Sequence, residues 1–193
     1  DKRPVWLAAS IHPAEFSDVL QTHQLLLKNF PDLLLIAVPR HPEKFGELKK
    51  LCENFKLSFI NRTDDLVPPE NIQIVVGDTM GEMLLFSGIA DLAYIGGSLI
   101  ERGGHNPLEA IACGTPVIMG PHYYNFRDVC DILLKQQVLK IVDTPDELVS
   151  TLNQLLSNKA ELSLLADKTL EIMTQNKGSM EKIIQQTKRL TSL

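Results

Sequence analysis

The chain has 193 residues, 44% of them apolar and 22% charged, with a net charge of −5. That length builds one large domain or two small ones around a sizeable core. The balance excludes collagen-like and disordered chains and argues against a free-standing nucleic-acid binder, which is usually basic.

In chain order, the start at Asp1 without a methionine reads as a piece cut from a longer protein, with no signal peptide. Val5–Ser10 is a short apolar run and predicts a strand. Ala14–Asn29 repeats apolar residues at helical spacing (Phe16, Val19, Leu20, His23, Leu26, Leu27). Leu33–Val38 shows no polar alternation and predicts a strand buried on both faces, as in a parallel sheet. Helix Pro42–Phe55, strand Leu57–Ile60, a polar loop at Asn61–Glu70, strand Ile72–Val76, helix Met80–Ser87 and strand Leu92–Ile95 follow. Helix Pro107–Cys113, strand Pro116–Met119, helix Phe126–Lys135, strand Val138–Ile141 and helix Pro145–Ser157 complete the alternation, and only helical patterns appear from Lys159 onward. No run is long and apolar enough to span a bilayer. Cys52, Cys113 and Cys130 form no C-x-x-C pair. Zinc and thioredoxin-type chemistry are therefore not expected, and a reducing compartment is.

Strands alternating with helices through short loops predict an α/β fold: a doubly wound, Rossmann-like parallel sheet over residues 1–158, with extra C-terminal helices over 159–193. Such sheets bind ligands at the carboxyl ends of their strands, so the chemistry is sought in the loops there. Gly96–Glu109 is the richest. Two glycine pairs, Gly96-Gly97 and Gly103-Gly104, flank a polar stretch, and Asn106, Pro107 and Glu109 suit a helix N-cap, first and third position, with Gly114 ending the helix. Backbone N–H groups exposed at that start suit a phosphate or carboxylate; the same residues also serve as a plain cap and turn. Arg40, after a buried strand, can grip an anion with its planar fork, and His41 can add a donor. In Gly77–Glu82, Thr79 and Glu82 have capping-box spacing, Gly81 permits close backbone approach and Met80 can pack on a flat base. His12 ends the first strand at the same edge. No G-x-G-x-x-G or G-x-x-x-x-G-K-[ST] motif occurs, against NAD, FAD and P-loop nucleotides, and no metal-ligand spacing occurs.

Four motifs then carry a resemblance: PRHPEKF at Pro39–Phe45, VVGDTMGEM at Val75–Met83, IADLAYIGGSLIERGGHNPLEA at Ile89–Ala110 and GPHYYNF at Gly120–Phe126. From Pro4 to about Ser157 the chain resembles the C-terminal half of the 3-deoxy-D-manno-octulosonic acid (Kdo) transferases, GT-B glycosyltransferases of lipopolysaccharide synthesis. The resemblance implies transfer of Kdo from CMP-Kdo to a lipid A precursor, inverting, without metal or other cofactor, at the cytoplasmic face of the bacterial inner membrane. It puts CMP contacts at Pro39, Arg40, Met80, Gly81, Glu82, Asn106, Pro107, Leu108 and Glu109. Glu109 would meet the ribose hydroxyls and the turn from Gly103 to Asn106 the phosphate. Ser98, Glu101 and His105 would line the sugar side, with Ser10, His12, His41, Gly97, Gly103 and Gly104 as further donor-site candidates. Relatives often carry Ser-Thr-His-Glu-Gly-Glu in the first loop, where this chain has Ser10-Ile11-His12-Pro13-Ala14-Glu15. The lost glycine and the entering proline predict a different loop path, which sets Glu15 aside and keeps Ser10 and His12.

The resemblance also implies that the acceptor site, the membrane-binding region and the catalytic base lie in an N-terminal half. No catalytic residue is assigned here, and this part alone is expected to be soluble, to bind donor weakly or not at all, and not to turn over. The alternatives are another GT-B transferase or epimerase using UDP-sugars, or a non-catalytic α/β binding module. An apolar stripe at Met180, Ile183, Ile184, Thr187 and Leu190, with Lys188 and Arg189 near its end, is expected either to cross to the N-terminal half or to pack on its own domain.

Overall fold

The structure, a computed structural model, describes residues 3–64 and 67–175. The stripe from Met180 to Leu190 lies outside the described residues. The elements are β1 (Val5–Ile11), α1 (Pro13–Leu26), β2 (Leu34–Pro39), α2 (Phe45–Asn54), β3 (Phe59–Asn61), β4 (Ile74–Val76), α3 (Met83–Ile89), β5 (Leu92–Ile95), α4 (Leu108–Ala112), β6 (Val117–Met119), α5 (Arg127–Lys135), β7 (Leu139–Ile141), α6 (Pro145–Ser157) and α7 (Lys159–Gln175). The strands form one sheet in the order β3-β4-β2-β1-β5-β6-β7, and every pairing is parallel. The order reverses at β1, so the chain builds outward from β1 to β2 on one side and resumes with β5 on the other. The crevice between β1 and β5 is the topological switch point.

The sheet is buried on both faces, as the unbroken apolar runs predict. Along β1, Trp6, Ala8 and Ile11 enter a core shared with α1, α2 and α6, while Val5, Leu7 and Ala9 enter a second core with α3, α4 and α5. Each large side chain fully buried this way contributes roughly 1.5–3 kcal/mol. Trp6 also needs a partner for its indole, and Nε1 donates to Nδ1 of His23 at 3.1 Å. With Nδ1 accepting, the His23 proton sits on Nε2, which donates to the Gln73 carbonyl at 2.9 Å. Burial pushes the His23 pKa down to about 3.

Two helix starts differ from expectation by three residues, the others by one at most. Pro42–Lys44 is a separate 3-10 turn ahead of α2. Helix α3 begins at Met83 rather than Met80, because Gly81 has φ +81°, which no helix accommodates. At its other end α4 closes as expected: Gly114 has φ +78°, its N–H donates to Ile111 O at 3.0 Å and Thr115 N–H to Ala110 O at 3.0 Å, a Schellman motif. Helix α7 spans both layers. Leu162 and Leu165 pack on the first core and Ile172 is buried in the second.

Candidate functional site

The site is built at the switch point. Pro13 takes the first position of α1, where its fixed φ and missing N–H suit a helix start. The proline therefore does not divert the loop, and Glu15 falls at the third helical position with only 1% of its surface exposed. Its carboxylate accepts from His12 N–H at 3.0 Å, Tyr94 O–H at 2.6 Å and Gly97 N–H at 2.8 Å. Setting Glu15 aside is thus corrected: this one side chain fastens the end of β1 to the end of β5. Burial, followed by the charge of Glu15, holds the Tyr94 hydroxyl well above its usual range, so it stays a donor.

Gly97, at φ +70°, turns the β5 loop back over the crevice; Gly104 N–H donates to Gly97 O at 2.8 Å and His105 N–H to Gly96 O at 3.2 Å. A Cβ at Gly97 would sit 3.2 Å from the His105 ring and 3.4 Å from that of His12. The two imidazoles stack with centroids 5.0 Å apart, their Nε2 atoms 2.8 Å apart, and His41 meets His12 edge-on at 5.7 Å. Burial is the main cause that lowers both pKa values; on His12 it acts against Glu15 and is joined by His41, Arg102 and Arg40, and on His105 it is joined by His12, Arg40 and His41, which bring that ring to about 4.

This return loop corrects the expectation of open N–H groups between Gly103 and Asn106. The Gly104 and His105 N–H groups are held within the loop, and both glycines are buried beneath Asn125 and Met119. The Leu108 N–H is held by Asn106 Oδ1 at 3.0 Å, but the helix starts one residue later than expected, with Pro107 at the cap and Glu109 at the second helical position. With α4 only five residues long, any anion here is held by side chains more than by a helix dipole. Pro107 and Leu108 are buried, while Glu109 is half-buried in the first turn. Ser98 is likewise corrected: fully buried, its hydroxyl donates to Ile95 O and accepts from Gly120 N–H at 2.8 Å, which ties the β5 loop to the β6 loop. Glu101 is exposed.

Ser10 adopts φ 55° at an irregularity of β1. Next along the edge, the Arg40 backbone N–H donates to Ile11 O at 2.9 Å, directly after the buried Pro39, and its side chain and that of His41 are exposed. The β4 loop is braced from below: Asp78 accepts from Lys49 Nζ at 2.9 Å and from Thr63 N–H at 3.0 Å. The expected capping box at Thr79 is corrected. Thr79 and Glu82 bond through their side chains, the other Glu82 oxygen accepts from Arg62 at 3.0 Å, and Glu82 itself precedes the helix. Its carboxylate is occupied, so a ligand here would meet exposed Met80 and the open backbone at Gly81, which has no neighbour within 4 Å of a built Cβ. The large groove of about 990 Å³ lies elsewhere, between α7 and the amino edge of the sheet, where Arg3 is already bonded to Asp32 O at 2.6 Å and Asp91 to Val5 N–H at 2.7 Å. Among the described residues no group of three or more His, Cys, Asp or Glu is placed to hold a metal ion, and no helix is long and apolar enough to cross a membrane.

A parallel doubly wound sheet whose strand-end loops converge on one polar crevice is a nucleotide-type binding fold. The family model of the group 1 glycosyl transferases matches residues 11–178. The chain belongs to that family. It is 41% identical over 183 residues to the 3-deoxy-D-manno-octulosonic acid transferase of Haemophilus influenzae, covering 94% of this chain and 43% of that protein. The enzyme of the same name from Bordetella pertussis is 38% identical over 130 residues, or 65% of this chain and 30% of that protein. The chain thus spans less than half the length of these relatives. Among solved structures, the C-terminal CMP-Kdo binding domain of WaaA from Acinetobacter baumannii superposes with a TM-score of 0.84 at 29% identity, covering 90% of each chain. The C-terminal domain of a group 1 glycosyl transferase from Francisella tularensis, at 14% identity and TM-score 0.61 over 91% of this chain and 86% of that one, shares the fold.

Proposed function

We propose that this chain is the donor-binding part of a Kdo transferase, holding CMP-Kdo at the β1–β5 crevice. The observation that carries the reading is the convergence there of Arg40, the His12–His105 pair and the start of α4 with Asn106 and Glu109, on a fold matched by a CMP-Kdo binding domain. Glu109 addresses the ribose hydroxyls and Arg40 the phosphate or the sugar carboxylate. Met80 and the Gly81 backbone flank the nucleotide. Breaking the bond to CMP builds charge on the leaving phosphate, and cationic groups fixed in place beforehand stabilise it without reorganisation. The acceptor is a lipid A precursor, reached through a further part of the protein at the cytoplasmic face of the inner membrane. Transfer proceeds with inversion, without metal, and the base that deprotonates the acceptor hydroxyl belongs to that further part. Titration of the chain with CMP and with UDP, followed by NMR, tests the reading. CMP is expected to bind more tightly, and Glu109→Ala to weaken it by roughly 1–3 kcal/mol. Preference for UDP would point to a UDP-sugar enzyme, and no binding of either nucleotide to a non-catalytic module.

A further inference from the structure

His12 and His105 reach the switch point from different strands, and their Nε2 atoms stand 2.8 Å apart. One ring must donate and the other accept. In the neutral pair this leaves one free acceptor, Nδ1 of the donating ring. A proton can be added there without breaking the Nε2–Nε2 bond, which becomes charge-assisted. A second added proton would set two N–H groups against each other. The pair is therefore one titrating unit with two usable states, neutral and singly positive.

The surroundings hold it neutral. Arg40 and His41 after β2 and Arg102 in the β5 loop all act against a positive charge on His12, as does burial. The opposing group is Glu15 on α1, whose carboxylate is already shared among His12 N–H, Tyr94 O–H and Gly97 N–H. The carboxylate that acts on His12 is thus committed to other donors, in a corner that gathers cations, and an incoming anion supplies countercharge. We propose that the His12–His105 pair takes up one proton from solvent as the donor binds, and holds the donor's anionic group, phosphate or sugar carboxylate, as an imidazolium–imidazole cation. The inference rests on the donor-binding reading and adds a proton to it. Its sign follows directly: affinity is gained below the midpoint of the bound pair and lost as pH rises through it.

The test is an imidazole ¹⁵N NMR titration of the chain from about pH 5 to about pH 9. It is run free, with saturating CMP, and with CMP-N-acetylneuraminate, a CMP-linked ulosonic acid added fresh at each pH because acid releases its CMP. Backbone shifts around Glu109 report occupancy independently. The free pair is expected to stay neutral to the acid end, and the ligand to raise its midpoint by about one unit or more. A rise with CMP assigns the phosphate, and a rise only with the ulosonate assigns the carboxylate. Occupancy with an unmoved midpoint overturns the proton uptake and leaves donor binding standing. No occupancy by either ligand overturns both. In H105Q, His12 loses its partner, and its ligand-induced rise is expected to shrink; a rise as large as in the parent chain overturns the shared pair.

Discussion

Glu15 shows how much can rest on one side chain. Its carboxylate gathers three donors, from the residue after β1, from β5 and from the loop beyond; the Tyr94 and Gly97 bonds are buried and the His12 bond is part-buried. Glu15→Ala strands those donors, and each buried group left unsatisfied costs roughly 1–3 kcal/mol. We expect a loss of at least about 3 kcal/mol in urea unfolding; a loss under about 1 kcal/mol would show that the fastening is incidental. Arg40 stands at the opposite extreme, exposed and making no ion pair among the described residues. Arg40→Lys keeps the charge and loses the fork. It should leave stability unchanged and remove much of the roughly 1.5–3 kcal/mol of a charge-assisted contact to CMP, measured by calorimetry. Undiminished affinity would rule out a bidentate grip.

At the scale of elements, α7 is locked to α4 at Gly114. A Cβ there would lie 2.5 Å from the Leu170 side chain, and the residue holds φ +78°. Gly114→Ala combines backbone strain of about 1–2 kcal/mol with a clash against the half-exposed Leu170 side chain, which can turn aside at a cost of about 1 kcal/mol. Adding Leu170→Ala should relieve the second part alone, so the double variant is expected to behave non-additively in thermal unfolding. Strictly additive losses would mean the two residues do not press on each other. The seven strands and their helices are legible in the sequence because strands buried on both faces leave unbroken apolar runs, as at Leu34–Pro39. The candidate loops are legible for the same topological reason. What local pattern misses is partnership at long range. Glu15 meets Tyr94 and Gly97 from 79 and 82 positions away, so the only part of its role marked locally is the capping-box bond to His12, three residues before it. The N–H groups of Gly104 and His105 look open until the loop folds back on Gly96 and Gly97. Gly81 looks helical until its positive φ is known.

Across the whole molecule, three imidazoles are held neutral by burial: His23, His105 and His12. Unfolded, each titrates near 6.5, so below that pH the unfolded chain binds protons that the folded chain refuses. Stability is therefore fully present above about pH 6.5 and falls as pH drops. The loss is about 1.4 kcal/mol per unit for His23, where it continues down to the folded value of about 3, and for His105, where it ends near about 4, while the partly exposed His12 adds in the same direction. Urea midpoints measured between about pH 7 and about pH 5 should fall with this slope, and His23→Gln should flatten it by close to one proton; a midpoint flat across that window would contradict the assignment.

The fastenings across the crevice also bear on the order in which the chain acquires its shape. His12 and His105 are 93 positions apart, whereas Trp6 and His23, buried together under β1, are separated by 17. Closing a long loop must precede any reward from the contacts it permits. The hydrophobic pairing of β1 with α1 can therefore consolidate early, while the ligand edge waits until β5 has been delivered beside β1. During refolding, or on a ribosome still emitting the second half, the chain passes through a stage that has a core and no site.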